Sequence, residues 1–154
     1  EEVLIERRSD RIEGPSRCPA PTATTVPLTI LDCAWDVDLL TADAGWLGTT
    51  VRKARVVVAV TRPTIPGLRR LEAALGLLGS RRTLAVVVGI EKRWPKAVQQ
   101  ALGPYARELR AAGRLVEVPH DPILAITGLT PKPLPTAALS GCSALLTHLE
   151  GRLR

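Results

Sequence analysis

The 154 residues are expected to fold as one α/β domain, an open, twisted, mostly parallel sheet with helices on both faces. Three observations carry that expectation. Short apolar runs without a polar break recur along the chain, the pattern of strands covered on both sides. Longer stretches with apolar residues at helical spacing alternate with them. Hydrophobic residues make up 45% of the chain and aromatic ones 3%, so a core must be packed from Val, Leu, Ile and Ala.

Residues 1–27 hold Gly14, Pro15, Pro19, Pro21, Pro27 and the polar run Thr22-Ala23-Thr24-Thr25, and read as a mobile leader to a domain over 28–154. Leu28-Thr29-Ile30-Leu31 then predicts a buried strand with Asp32 at its tip, followed by a crossover that contains a helix. Val56-Val57-Val58-Ala59-Val60 predicts a central strand ending at Thr61. Leu68, Leu71, Leu75 and Leu78 lie on one stripe of a helix over 67–78, which Gly79 closes. Leu84 to Ile90 is again continuously apolar and predicts a strand. A single helix is expected over 95–112, with Pro95 in its first turn and Val98, Ala101, Leu102, Tyr105, Leu109 and Ala112 on one face. Leu115-Val116-Glu117-Val118 predicts a fourth strand, stopping at Pro119-His120-Asp121. Leu139, Cys142, Leu145, Leu146, Leu149 and Leu153 mark a terminal helix over 136–153.

Several functional classes are excluded. Three Trp, one Tyr and no Phe disfavour modules that stack on single-stranded bases. Cys18, Cys33 and Cys142 form no C-x-x-C pair and have two histidines to help them, which argues against a zinc site or a disulfide framework. No apolar run is long enough to span a membrane, and the acidic start lacks the layout of a secretory signal, so a cytoplasmic protein is expected. The sequence contains no Met, so a processed chain or a piece of a longer product is expected.

Charge is uneven. Residues 1–48 carry four Arg against nine acids, residues 49–114 fourteen Lys/Arg against three acids, and residues 115–154 three of each. The basic middle suits a polyanionic partner. Arg69, Arg70, Arg81, Arg82, Arg93 and Lys96 are the candidate nucleic-acid contacts, with Arg107 and Arg110 beside them. The same arginines also read as ordinary solvated helix faces. Zinc-finger, helix-turn-helix and RNA-recognition signatures are absent, so any contact should go to phosphates rather than bases.

In parallel α/β sheets ligands bind beyond the carboxyl ends of the strands. Asp32, Thr61, residues 91–93 and residues 119–121 fall there. Asp32 reads either as a magnesium-organising carboxylate or as a turn former beside Asp36, Asp38 and Asp43, which suit caps and turns. His120 and His148 belong to no triad or ligand set and read as surface residues. Trp35, Trp46 and Trp94 read as gap-fillers in an aliphatic core or as interface anchors.

Leu28 to Asp32, the approach Lys53-Ala54-Arg55 into Val56 to Thr61, Arg62-Pro63, the helix from Gly67, the stretch Val116 to Asp121 and the closing helix after Pro135 together resemble the second half of a ParA/MinD-type ATPase (SIMIBI class) over residues 28–153. The resemblance implies a three-layer, P-loop NTPase-like sheet and a role in partitioning or positioning. It implies ATP and Mg2+ as cofactors, with Asp32 near the metal and the attacking water and Pro119 and Asp121 bordering the adenine. It also implies dimerisation and DNA binding without sequence preference. Departures are specific. The Gly-rich loop with its Lys and Ser/Thr, which supplies most phosphate affinity, has no counterpart here. Cys33-Ala34 stands where the family has Pro and Gly after the aspartate, and Gly89 where it commonly has a base-reading Asn. Two readings follow: a ParA/MinD-like ATPase domain, either missing its first strand-loop-helix unit or a degenerate relative that keeps the scaffold without the catalysis, and unable to hydrolyse ATP by itself, or a non-catalytic interaction module docking on nucleic acid or a protein through its basic face.

Overall fold

The computed structural model describes residues 6, 12–22, 29–91, 93–128 and 130–153. The expected boundary between leader and domain falls among residues 23–28, outside the described residues. Contacts divide the chain into two compact units, residues 1–54 and residues 55–154.

In the first unit a 3-10 turn over Pro15–Arg17 precedes two short helices, α1 (Val37–Ala42) and α2 (Trp46–Lys53). Asp43 sets the corner between them, its Oδ2 accepting from the Gly48 amide at 3.1 Å. Gly48 is required there, because a Cβ would lie 2.7 Å from the Leu40 carbonyl oxygen. Arg52 reaches back along α2 and donates to the carbonyls of Thr41 (2.8 Å) and Asp43 (2.6 Å). The Trp46 indole N–H donates to the Cys18 carbonyl, tying α2 to the 3-10 turn. Among the described residues of this unit, Leu40 and Leu47 are the buried apolar side chains.

The strand expected over 28–31 is not formed by its described residues. Residues 29–36 are neither helical nor in a sheet, and Ile30 is 82% exposed. A four-residue apolar run carries no period of its own, and it becomes a strand only where a neighbour supplies the backbone partners.

The second unit is α/β. Among the described residues its sheet has three parallel strands, β1 (Val57–Thr61), β2 (Thr83–Ile90) and β3 (Leu115–Pro119), in that order, rather than the four expected. Helix α3 (Ile65–Leu78) connects β1 to β2. In place of the single helix expected over 95–112, α4 (Lys96–Gln100) and α5 (Pro104–Ala111) connect β2 to β3. The break has a local cause: Pro104 has no amide hydrogen to continue the ladder and disfavours the helical conformation at Gly103, so it opens a new helix instead. A short helix that the sequence did not announce, α6 (Pro122–Thr127), precedes the terminal α7 (Thr136–Leu153).

Register places Ala59, Ala85 and Leu115 side by side. Ala85 and Val87 form one cluster with Leu68, Leu71 and Leu75 of α3, Trp94, Val98 of α4, and Ala106 and Leu109 of α5, so both crossovers cover the same face of β2. Burying a leucine of this kind contributes about 1.5–3 kcal/mol. Glu72 of α3 fastens that layer from its rim, its carboxylate accepting from the amides of Tyr105 (2.8 Å) and Ala106 (3.1 Å). A carboxylate there satisfies two orphan donors of α5 and complements its dipole. Gly103 leaves the space that the carboxylate enters. Helix α7 packs against β3 at Gly141, where a Cβ would sit 3.1 Å from both the Glu117 carbonyl oxygen and the Val118 side chain. No helix among the described residues is long and apolar enough to cross a membrane.

Candidate functional site

The carboxyl ends of β1, β2 and β3 were the expected site, and their residues are largely engaged in structure. After β1, the Thr64 hydroxyl accepts from the Gly67 amide at 3.1 Å and so caps α3. Gly67 keeps the turn tight, because a Cβ would stand 2.7 Å from the Arg62 carbonyl oxygen and 2.9 Å from the Thr61 hydroxyl. At the end of β2, Gly89 takes φ 97°, a left-handed conformation that favours glycine, and the register slips so that Ile90 rather than Gly89 meets Pro119. The Ile90 carbonyl accepts from the His120 amide at 2.7 Å. Pro119 is half-buried and His120 exposed. Asp121 caps α6, its Oδ1 accepting from the Leu124 amide at 2.8 Å.

Asp32 is exposed, belongs to the first unit, and is carried by an irregular segment rather than a strand tip. The neighbouring Cys33 thiol is pushed above its usual range by burial first, then by the Asp32 carboxylate and by Cys18. Among the described residues no group of three or more His, Cys, Asp or Glu could hold a metal ion. With Asp32 on an irregular segment, Asp121 used as a cap and no Gly-rich loop, the described residues do not fit a magnesium–ATP site.

Asp36 occupies the N-cap position of α1 without a side-chain capping bond, and Asp38 lies in its first turn. Trp94 is buried in the core of the second unit, while Trp35 and Trp46 are half-buried. Among the described residues the Trp94 indole N–H has no partner, and the Arg110 guanidinium stands 5.3 Å from the ring centroid. His148 is half-buried on α7.

The six candidate cations do not form one surface. Arg69 and Arg70 lie in the first half of α3, and Arg93 and Lys96 follow β2, so these four belong to the carboxyl end of the sheet. Arg81 and Arg82 lie in a 3-10 turn, Ser80–Arg82, that immediately precedes β2 and belongs to its amino end. The eight residues of β2, about 26 Å at roughly 3.3 Å per residue, separate Arg93 and Lys96 from Arg81 and Arg82, and α3 carries Arg69 and Arg70 only part of that way back. Two cations absent from the sequence-based set join the amino end. Arg114 Nη1 donates to the carbonyls of Ser80 and, at 3.2 Å, Arg81, and Arg152 Nη1 donates to the Arg81 carbonyl at 2.9 Å. Arg152 stands 71 positions from Arg81, a pairing that no local pattern announces.

The chain was compared with family models, curated proteins and solved structures, and none of the three comparisons finds a match.

Proposed function

We propose that the chain acts as a non-catalytic α/β interaction module whose second unit docks on nucleic acid through phosphate contacts. The observation that carries this reading is the charge of residues 55–154, which hold fifteen Lys/Arg against six Asp/Glu. That excess sits on a unit whose strand-end polar groups are already used as helix caps. A surface of this sign draws a polyanion by counterion release, without reading bases. The test is retention of the full chain on random-sequence duplex DNA across a salt series. The logarithm of the affinity should fall linearly with that of salt, by about 0.9 per phosphate contact. Absence of binding at low salt overturns the reading.

A second reading is favoured by one observation. Three consecutive parallel strands joined by crossovers over one face, with Thr61 ending β1 and Pro119 to Asp121 following β3, suit the ParA/MinD-like ATPase that the sequence resembles. That reading requires a Gly-rich loop ending in Lys and Ser/Thr encoded in frame upstream of Glu1, since ATP and Mg2+ have no site here without it. Reading the upstream coding sequence decides it, and absence of such a loop removes it.

A further inference from the structure

We propose that the outer edge of β1 is a strand-addition site that takes an extended, acidic segment of a protein partner. The order β1-β2-β3 leaves β1 with a neighbour on one side among the described residues. In a parallel ladder, a residue that faces its neighbour bonds the residues on either side of its register partner, and alternate residues face opposite ways. The Ala85 amide donates to the Arg114 carbonyl at 2.9 Å, so Ala85 and Val87 face β3, and Leu84 and Val86 face β1. Their register partners, Val58 and Val60, therefore turn amide and carbonyl away from the sheet, where no described residue pairs with them. An extended backbone is the ligand that such a row of groups fits.

The two edges of the sheet are guarded differently. β3 carries the charge of Glu117, ends in Pro119 and has α7 against it at Gly141. Charge, proline and a covering element are the means by which soluble sheets keep an edge from pairing. The five residues of β1, Val-Val-Ala-Val-Thr, contain neither charge nor proline. Val60 is 67% exposed and Val88, on the same face, 38%. That face is the one opposite α3, α4 and α5, so an added strand would also cover apolar side chains.

Charge selects the occupant. Residues 55–71 hold Arg55, Arg62, Arg69 and Arg70 and no Asp or Glu. Arg55 and Arg62 bracket β1. Arg70 stands on the flank of α3 opposite Glu72, which reaches α5; α5 contacts β3 and α3 contacts β1, so that flank is on the β1 side. A second copy fits poorly, because antiparallel pairing centred on Ala59 would set Arg62 of each copy beside Arg55 of the other. A segment with acids at both ends and β-branched residues between them meets the main-chain groups and the cations together.

The test is binding of a labelled synthetic peptide, alternating Val and Thr with Glu at both ends, to the full chain. Hydrogen exchange should slow at the Val58 and Val60 amides and stay unchanged at those of Leu115 and Glu117. The same peptide ended in Lys should bind at least about fivefold more weakly. A Glu-ended peptide with Pro at its centre has the same charge but a broken strand, and should not bind. Val60→Pro removes an outward amide and no bond of the ladder, and should abolish binding. Arg62→Glu, at an exposed side chain, should narrow the preference for Glu over Lys ends. Protection at β3 instead, equal binding of the Pro-containing peptide, an unchanged preference in R62E, or a dimer that V60P dissolves overturns the site. The proposal does not rest on nucleic-acid docking. V60P keeps every cation, so duplex retention should persist in it while peptide binding is lost, and the two readings fail separately.

Discussion

Residues 1–54 and residues 55–154 are held together by different means. The second unit has a contiguous apolar cluster that joins β2 to α3, α4 and α5. The first buries Leu40 and Leu47, and depends on side chains that grip backbone carbonyls, Arg52 on Thr41 and Asp43 and Trp46 on Cys18. Burial of apolar area grows with the number of residues packed, whereas each hydrogen bond contributes only about 0.5–1.5 kcal/mol net. The contrast therefore predicts a firm second unit and a first unit that opens more readily.

The largest test is Leu75→Ala. Leu75 is wholly buried in the cluster, and the substitution should cost about 2–5 kcal/mol, read as a lower midpoint of denaturant unfolding. A cost below 1 kcal/mol would show that the cluster collapses around the gap and does not hold the unit. Glu72→Ala should cost less, about 0.5–2 kcal/mol, because it removes the acceptor that caps the Tyr105 and Ala106 amides while the leucines stay packed. Its signature is faster hydrogen exchange at the first turn of α5. Trp46→Phe keeps an aromatic ring of smaller size and removes the donor to Cys18, with an expected loss of at least about 0.5–1.5 kcal/mol in the first unit. Amides of α2 should exchange faster in that variant and those of β2 at an unchanged rate; the opposite pattern would dissolve the contrast.

The smallest effect concerns Cys33. Burial and the Asp32 carboxylate raise its thiol above the usual value, so the native chain keeps that proton to higher pH than the unfolded chain does. Stability from this group is fully present below the unfolded thiol value and is lost as pH rises through the folded one. Unfolding followed at about pH 8 and about pH 10 should show a decline that Cys33→Ser reduces. Alkylation of Cys33 should also be slower in the native chain than in urea. Equal rates would mean that the first unit leaves its thiol unprotected.

Legibility in the sequence followed the same division. The helix read from Leu68, Leu71, Leu75 and Leu78 is present within one or two residues because it carries its own 3.6-residue period and is closed by Gly79, and the strands read from Val56 to Thr61 and Leu84 to Ile90 are present because each finds a parallel neighbour for its backbone. Leu28 to Leu31 had the same apolar character, and its described part is not in a sheet. Residues 119–121 were placed correctly at the end of β3, yet the use of Asp121 as a cap emerges only with α6 beside it.

Composition and periodicity alone determined an aliphatic α/β chain with a basic middle, because charge, helical spacing and strand-length apolar runs are properties of neighbouring residues. Tertiary structure decided which cations share an end of the sheet, that Glu72 caps a helix 33 residues away, and that Arg152 meets Arg81 across 71 positions. Those pairings depend on how the crossovers return the chain to the sheet, and residues distant in sequence acquire a common electrostatic environment only after that return.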